Sequence, residues 1–164
     1  FDEIIEAFRQ HPNKRLVIGG SGPKENELKS QAADMPNVEF RGYLSEEEKR
    51  NLLGSAKALV YAAVNEDFGM VPIEAYASGT PVIGVRDGYT KYQIQDGVTG
   101  ILYDRGVDPL ANAVTEFEKN GVEASVEDLL EVSRSYSLKQ FQQSIRNAVE
   151  TAVERSSINT GPEL

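Results

Sequence analysis

ALVYAAVNEDFGMVPIEAYASGTPVIG, residues 58–84 of a 164-residue chain, decides how the rest is read. Residues 58–64 are apolar and carry no charge, which suits a strand buried on both faces of a parallel sheet. Asn65, Glu66 and Asp67 then make a polar break before Phe68-Gly69-Met70-Val71. Pro72 fits the first position of a helix, where its missing N–H costs nothing. That helix is expected to run to Ser78 with Gly79 as a left-handed stop, and residues 81–85 read as the next strand. The segment is thus one β-loop-α-β unit. Its two carboxylates, Glu66 and Glu74, flank the loop, one at the strand's carboxyl end and one in the first turn of the helix.

In an open α/β sheet that edge is where ligands bind. The N–H groups of Gly69, Met70 and Val71 would lie at a helix N-terminus, suited to an anion or a dense set of hydroxyls, and the glycine would let backbone approach a ligand. Carboxylates accept strong, charge-assisted hydrogen bonds from sugar hydroxyls. The same residues also have a plain reading, with Glu74 a capping residue and Glu66 with Asp67 a solvated loop.

Upstream, Phe1, Ile4, Ile5 and Phe8 have the spacing of a helix face over residues 1–10, ended by His11-Pro12-Asn13. His11, the only histidine, reads as a surface residue. Residues 15–18 form a strand, and Gly19-Gly20-Ser21-Gly22-Pro23 turns into a helix over 24–33. Such a glycine turn cradles a phosphate or simply permits a tight bend; this one lacks the Walker lysine pattern and the third glycine of a dinucleotide fingerprint. After the strand at 38–40, Ser45 followed by Glu46, Glu47 and Glu48 is a capping box opening a helix to residue 55.

Downstream, residues 89–95 are a short polar and aromatic segment, and 100–103 are the last strand. Asp108 as cap and Pro109 at the first position open a helix through residue 119. Serines open two more helices, over 125–135 and 137–155. Their stripes, Val126, Leu129, Leu130 and Val132, then Leu138, Phe141, Ile145, Val149 and Val153, read as core. The polar tail, 156–164, is expected to be disordered. Strands alternating with helices give an α/β fold, a doubly wound Rossmann-like parallel sheet with helices on both faces.

A net charge of −9 with no concentrated basic face argues against nucleic acid as a partner. The absence of cysteine excludes a disulfide framework and thiol-ligated metal, and suits a cytoplasmic protein. No apolar run approaches the roughly 18 residues of a spanning helix. The chain starts at Phe1, without Met and inside a helix, and is expected to be a piece of a longer protein.

The run from Glu66 to Ala75, followed by Ala77 to Ile83, resembles the E-x7-E signature of GT-B glycosyltransferases, specifically the family 4 retaining enzymes. Leu16 to Pro23 is similar to that family's strand and GxGP turn, Val38 to Gly42 to its next strand, and Asp96-Gly97-Val98-Thr99-Gly100 to its DGVTG turn. The resemblance implies that residues 1–155 are a nucleotide-sugar-binding domain, the C-terminal half of a GT-B fold lacking its first strand. The parent would transfer a hexose from a UDP- or GDP-linked donor to an acceptor with retention, and the wording EDFGxxPIEA leans towards mannose. It implies that Glu66 lies near the donor sugar as the catalytic residue. Glu74 would accept from the nucleotide ribose, and backbone at Phe68, Gly69, Met70 and Val71 would contact sugar and phosphate. Gly20 and Gly22 of the glycine turn would also contact the donor, and Tyr43 and Leu44 would lie beside the base, although Tyr43 reads equally as a core aromatic. No metal and no cofactor beyond the donor are expected. The implied partner is an N-terminal acceptor-binding domain, which could also reach an acceptor at a membrane surface. An Arg and Lys pair that clamps the diphosphate would precede Phe1, so the isolated chain is expected to be inactive.

One departure stands out. Relatives commonly carry Gly-Gly-x-x-Glu where this chain has Gly88-Tyr89-Thr90-Lys91-Tyr92, and both tyrosines read most simply as packing residues. Outside the transferase class, the same fold could be a non-catalytic sugar-nucleotide-binding or interaction domain.

Overall fold

A computed structural model describes residues 1–158, in which short strands alternate with helices along the chain. In order they are α1 (Asp2–Arg9), β1 (Leu16–Gly19), α2 (Glu25–Gln31), β2 (Val38–Gly42), α3 (Glu46–Ser55), β3 (Leu59–Tyr61) and α4 (Met70–Ala77). Then follow β4 (Val82–Val85), α5 (Thr90–Gln93), β5 (Gly100–Tyr103), α6 (Val107–Asn120), α7 (Val126–Arg134) and α8 (Leu138–Ile158). Every strand pair is parallel. β1 pairs with β2, and β4 lies between β3 and β5, with Val82 opposite both Leu59 and Gly100.

The period of two along each strand divides the core into two layers. Ile83 and Val85 of β4, with Ile101 and Tyr103 of β5, face a cluster built from α1, α2 and α6, among them Ile5, Leu28 and Leu110. Val82 faces the other way, with Leu59, Tyr61 and Leu102, onto Leu53 of α3, Ile73 and Tyr76 of α4, and Leu129 of α7. This is the expected α/β architecture, parallel strands sandwiched between helices. It leaves the loops after β1, β2 and β3 at the carboxyl edge.

Local signals set several boundaries. Ser45 and Glu48 form the expected capping box on α3, and Ser125 with Asp128 does the same on α7. At the end of α4, Gly79 takes a φ of +73°; its N–H donates to Tyr76 O and that of Thr80 to Ala75 O, the paired bonds of a Schellman motif.

Other expectations need correction. The 58–64 run yields only a three-residue strand, half-buried, because β3 is the edge of its ladder while β4 takes the fully buried centre. Helix α4 begins at Met70, so Pro72 is its third residue. Helix α6 is capped by Gly106, which puts Asp108 and Pro109 at its second and third positions. His11 is half-buried: its Nε2–H donates to Ala111 O at 2.9 Å, tying the end of α1 to α6.

The largest correction is α8. Leu138, Phe141, Ile145, Val149 and Val153 are 52–70% exposed, not core. The two core clusters are built by α1, α2 and α6 on one side and by α3, α4 and α7 on the other, and neither includes a residue of α8. Val126, at the exposed start of α7, likewise lies outside the core, whereas Leu129 is buried. Of the expected tail, residues 156–158 continue α8 and the rest lies outside the described residues.

Candidate functional site

The loop between β3 and α4 is held from three sides. Asn65 adopts a left-handed φ of +54°, its N–H donating to Asp87 Oδ1 at 2.8 Å. Glu66 follows, half-buried; its Oε2 accepts from the Tyr61 hydroxyl at 2.9 Å and its carbonyl accepts from the N–H of Tyr89 at 2.8 Å. Burial, then the bond to Glu66, pushes the Tyr61 hydroxyl up to about 12, so it stays protonated and donates at neutral pH. Gly88 lies directly on this residue: a Cβ there would stand 2.6 Å from Glu66 O and 2.7 Å from its N. Glu66 is therefore a positioned group and not a solvated loop residue. Asp67 is the exposed one.

Gly69 is the N-cap of α4, buried, with φ +73°. A Cβ at this position would lie 3.1 Å from Glu66 Cγ and 3.1 Å from the Tyr61 hydroxyl, so a side chain there would be strained by the conformation and would crowd both neighbours. Beyond it, Met70 and Val71 are exposed at the helix's open N-terminus, where N–H groups have no partner within the helix. Phe68 is 38% exposed; its ring stacks on Tyr89 at 5.6 Å and meets Tyr136 edge-on at 5.7 Å. Tyr89 packs between Phe68 and Tyr92, as the packing reading expects, whereas Tyr92 is 70% exposed.

Glu74 is the fifth residue of α4 and makes no cap bond, so the capping reading falls. Its Oε1 accepts from Lys49 Nζ at 2.9 Å, while its Oε2 is buried without a hydrogen-bond partner. The bond to Glu74, then that to Glu46, raises the Lys49 ammonium above the ordinary lysine value. A buried carboxylate oxygen left unsatisfied costs about 1–3 kcal/mol, and a ligand hydroxyl would remove that cost.

The remaining candidates gather around the carboxyl ends of β1 and β2. Gly20 and Gly22 line a cavity of about 420 Å³ with Phe1, Ile18 and Phe40. The two loops are joined, since the Gly20 N–H donates to Gly42 O at 2.6 Å and Leu44 packs against Gly19. Tyr43 is 83% exposed, which removes its reading as a core aromatic. The Lys49–Glu74 pair links this region to the first, because Lys49 stands in α3, the helix that follows the Tyr43-Leu44 loop.

A larger concavity, about 810 Å³, lies between α5 and α7, lined by Tyr92, Gln93, Gln95, Glu123, Glu131 and Tyr136 among others. It holds none of the sequence candidates. Among the described residues no group of three or more His, Cys, Asp or Glu is placed to hold a metal ion, and no helix is long and apolar enough to cross a membrane.

Three side chains of the site were not singled out from sequence: Tyr61, Lys49 and Gln93. Gln93 is 4% exposed and its Nε2 donates to Phe68 O at 2.5 Å and Gly69 O at 3.1 Å. The only sequence signal for it was its place in the polar and aromatic segment 89–95, directly after the departure at 88–92.

Residues 1–135 match the family described as glycosyl transferases group 1. Over 116 residues the chain is 34% identical to the D-inositol 3-phosphate glycosyltransferase of Corynebacterium kroppenstedtii, covering 65% of this chain and 26% of that protein. Over 148 residues it is 32% identical to the alpha-1,3/1,6-mannosyltransferase ALG2 of Dictyostelium discoideum, covering 82% of this chain and 35% of that one. The fold superposes on the pneumococcal O-GlcNAc transferase GtfA, solved with UDP and GlcNAc, with a TM-score of 0.72 at 22% identity over 93% of this chain and 32% of that structure. The chain therefore spans about a quarter to a third of the length of the curated relatives it matches.

Proposed function

The chain belongs to the glycosyl transferases group 1 family, and from that premise we propose that it is the donor-binding part of a larger enzyme. That enzyme moves a hexose from a UDP- or GDP-linked donor to an acceptor, with retention of configuration, in the cytoplasm. The observation that carries the donor-binding reading is Glu74, ion-paired through one oxygen and buried without a partner through the other, one turn inside a helix whose N-terminus is open. A ribose hydroxyl donating to Oε2 would satisfy that atom. Phosphate and sugar oxygens would meet the N–H groups of Gly69, Met70 and Val71. Glu66, with its Oε2 fixed by Tyr61, would present its other oxygen to the donor sugar.

Gly20 and Gly22 would border the donor where no atom stands within 4 Å of a Cβ built on either, and Tyr43 and Leu44 would flank the base. UDP in the fold neighbour GtfA favours a uridine donor; the similarity to a mannosyltransferase favours mannose and leaves GDP as the alternative base. A division of the ladder supports the reading of a partial domain. The pieces β2-β1 and β3-β4-β5 fit the doubly wound order 3-2-1-4-5-6 with the central strand supplied from upstream. An N-terminal acceptor-binding domain would complete the enzyme and reach any acceptor held at a membrane.

The test is Glu74→Gln in the full-length protein, with free UDP and GDP titrated against both forms. Loss of a charge-assisted bond to a hydroxyl, about 1.5–3 kcal/mol, predicts affinity lower by one to two orders of magnitude. Unchanged affinity removes Glu74 from the site.

A further inference from the structure

Gln93 sits where two parts of the molecule that are distant in sequence must agree. Its side chain is buried, and its Nε2 places both hydrogens on the carbonyls of Phe68 and Gly69, the two peptides that deliver the chain into α4. Its Oε1 faces no donor and is buried beside Gly69, 3.5 Å from where a Cβ there would stand. The amide orientation is fixed by chemistry, because reversal would bring Oε1 against two carbonyl oxygens. The backbone of Gln93 is held in turn: the fully buried Tyr76 hydroxyl, on α4, donates to Gln93 O at 3.3 Å and accepts from the Thr99 hydroxyl at 3.1 Å. Thr99 Oγ1 also accepts from the N–H of Gln95 at 3.0 Å. Helix α4 thus fixes Gln93, and Gln93 fixes the entry to helix α4.

A peptide plane has its carbonyl and its N–H on opposite sides. Drawing the carbonyls of Phe68 and Gly69 inward turns the N–H groups of the same peptides, those of Gly69 and Met70, outward to the open end of the helix. We propose that Gln93 is a positioning residue for nucleotide-diphosphate binding: its carboxamide sets the orientation of the 68–69 and 69–70 peptides, so that their N–H groups are preorganised for an anionic donor. This inference rests on the donor-binding reading above. It also gives a purpose to the departure at 88–92. Where Gly88 and Tyr89 lock the backbone of Glu66 and the Tyr89 ring stacks on Phe68, Gln93 completes the same brace one turn later.

The experiment is Gln93→Met in the full-length protein, a side chain of similar length and shape with no donor. UDP and GDP are titrated calorimetrically, and amide hydrogen exchange is followed at residues 68–71. Loss of two buried hydrogen bonds is expected to weaken binding of the preferred nucleotide about tenfold per folded molecule. Exchange at Gly69 and Met70 should accelerate while the core strands stay protected. If Gln93→Met does not fold, the test passes to Gln93→Asn, which keeps the amide but falls one methylene short of both carbonyls, and the same loss is expected. A folded variant with wild-type affinity and unchanged exchange at 69–70 overturns the positioning role. A lowered melting temperature with affinity intact does so too, since that is the mark of a purely structural contact. Failure of the wild-type protein to bind either nucleotide is a different result, refuting the donor-binding reading itself.

Discussion

Replacing Gly69 by valine concentrates two costs at one atom. The residue sits at φ +73°, where a Cβ-bearing residue carries about 1–2 kcal/mol of strain, and a β-branched one more. The new Cβ would also lie 3.1 Å from Glu66 Cγ and from the Tyr61 hydroxyl, the two ends of one hydrogen bond. Both are flexible enough to give way, but only by separating, which forfeits a bond worth about 0.5–1.5 kcal/mol. The sum, about 1.5–3.5 kcal/mol before the extra cost of β-branching, is the expected loss of stability. Binding suffers separately. Glu66 is displaced and the branched side chain blocks the backbone's approach to the ligand, so nucleotide affinity per folded molecule should fall at least about a hundredfold.

Gly97 provides the control. Its φ is +77°, yet nothing lies within 4 Å of a Cβ built on it, so Gly97→Ala adds strain without contact. Titration of UDP and GDP against full-length protein, with folding checked by circular dichroism and hydrogen exchange, should show Gly97→Ala less stable but binding normally, and Gly69→Val deficient in both. Wild-type affinity in Gly69→Val, or an equal binding loss in Gly97→Ala, refutes the reasoning.

Two further outcomes follow from the same structure. Burial pushes the Tyr61 and Tyr76 hydroxyls up to about 12, and Tyr103 is raised in the same direction, so the unfolded chain releases these protons first. Their contribution is whole below about pH 10 and is lost as pH rises to about 12, at about 1.4 kcal/mol per pH unit for each tyrosine. Urea midpoints across that range should fall, less steeply in Tyr76→Phe, and a flat profile contradicts it. On the proposed reading as the donor-binding part of a larger enzyme, these 164 residues alone should not turn over donor and acceptor, since positioning and neutralisation of a leaving diphosphate supply most of the rate in group transfer; turnover comparable to the full-length protein refutes this.

What could be read from sequence about the fold divides along the range of the interactions. The capping box at Ser45, the serine start at Ser125 and the left-handed stop at Gly79 are complete within a few residues, and the structure carries all of them. The α8 stripe was legible as a helix and illegible as core. Amphipathic spacing shows that a face can be buried, but not whether any surface is left to bury it. Residues 58–64 fail for a related reason: an uncharged run does not say whether its strand will be central, like β4, or an edge, like β3. His11 looked exposed beside Pro12 because its partner, Ala111 O, lies a hundred residues away.

The site divides in the same way, and one small error shows how. Proline lacks an N–H that no residue of the first turn donates within the helix, so Pro72 fits the third position as well as the first, and sequence alone could not choose between them. Starting α4 at Met70 moves Glu74 to the fifth position, too far along to bond the cap. That distance frees its carboxylate for Lys49 on one side and a buried, unfilled acceptor on the other. The spacing of the two glutamates and the glycine between them marked the loop. Its rigidity came from Tyr61, Gly88, Tyr89 and Gln93, which reach it from the strand before and the segment after. Of these, only Tyr89 and its surroundings were flagged, as a departure from relatives. The departure marks the place where this chain braces the β3–α4 loop with its own set of contacts. Variation there should therefore alter nucleotide affinity through the orientation of residues 66–70, without any altered residue touching the nucleotide.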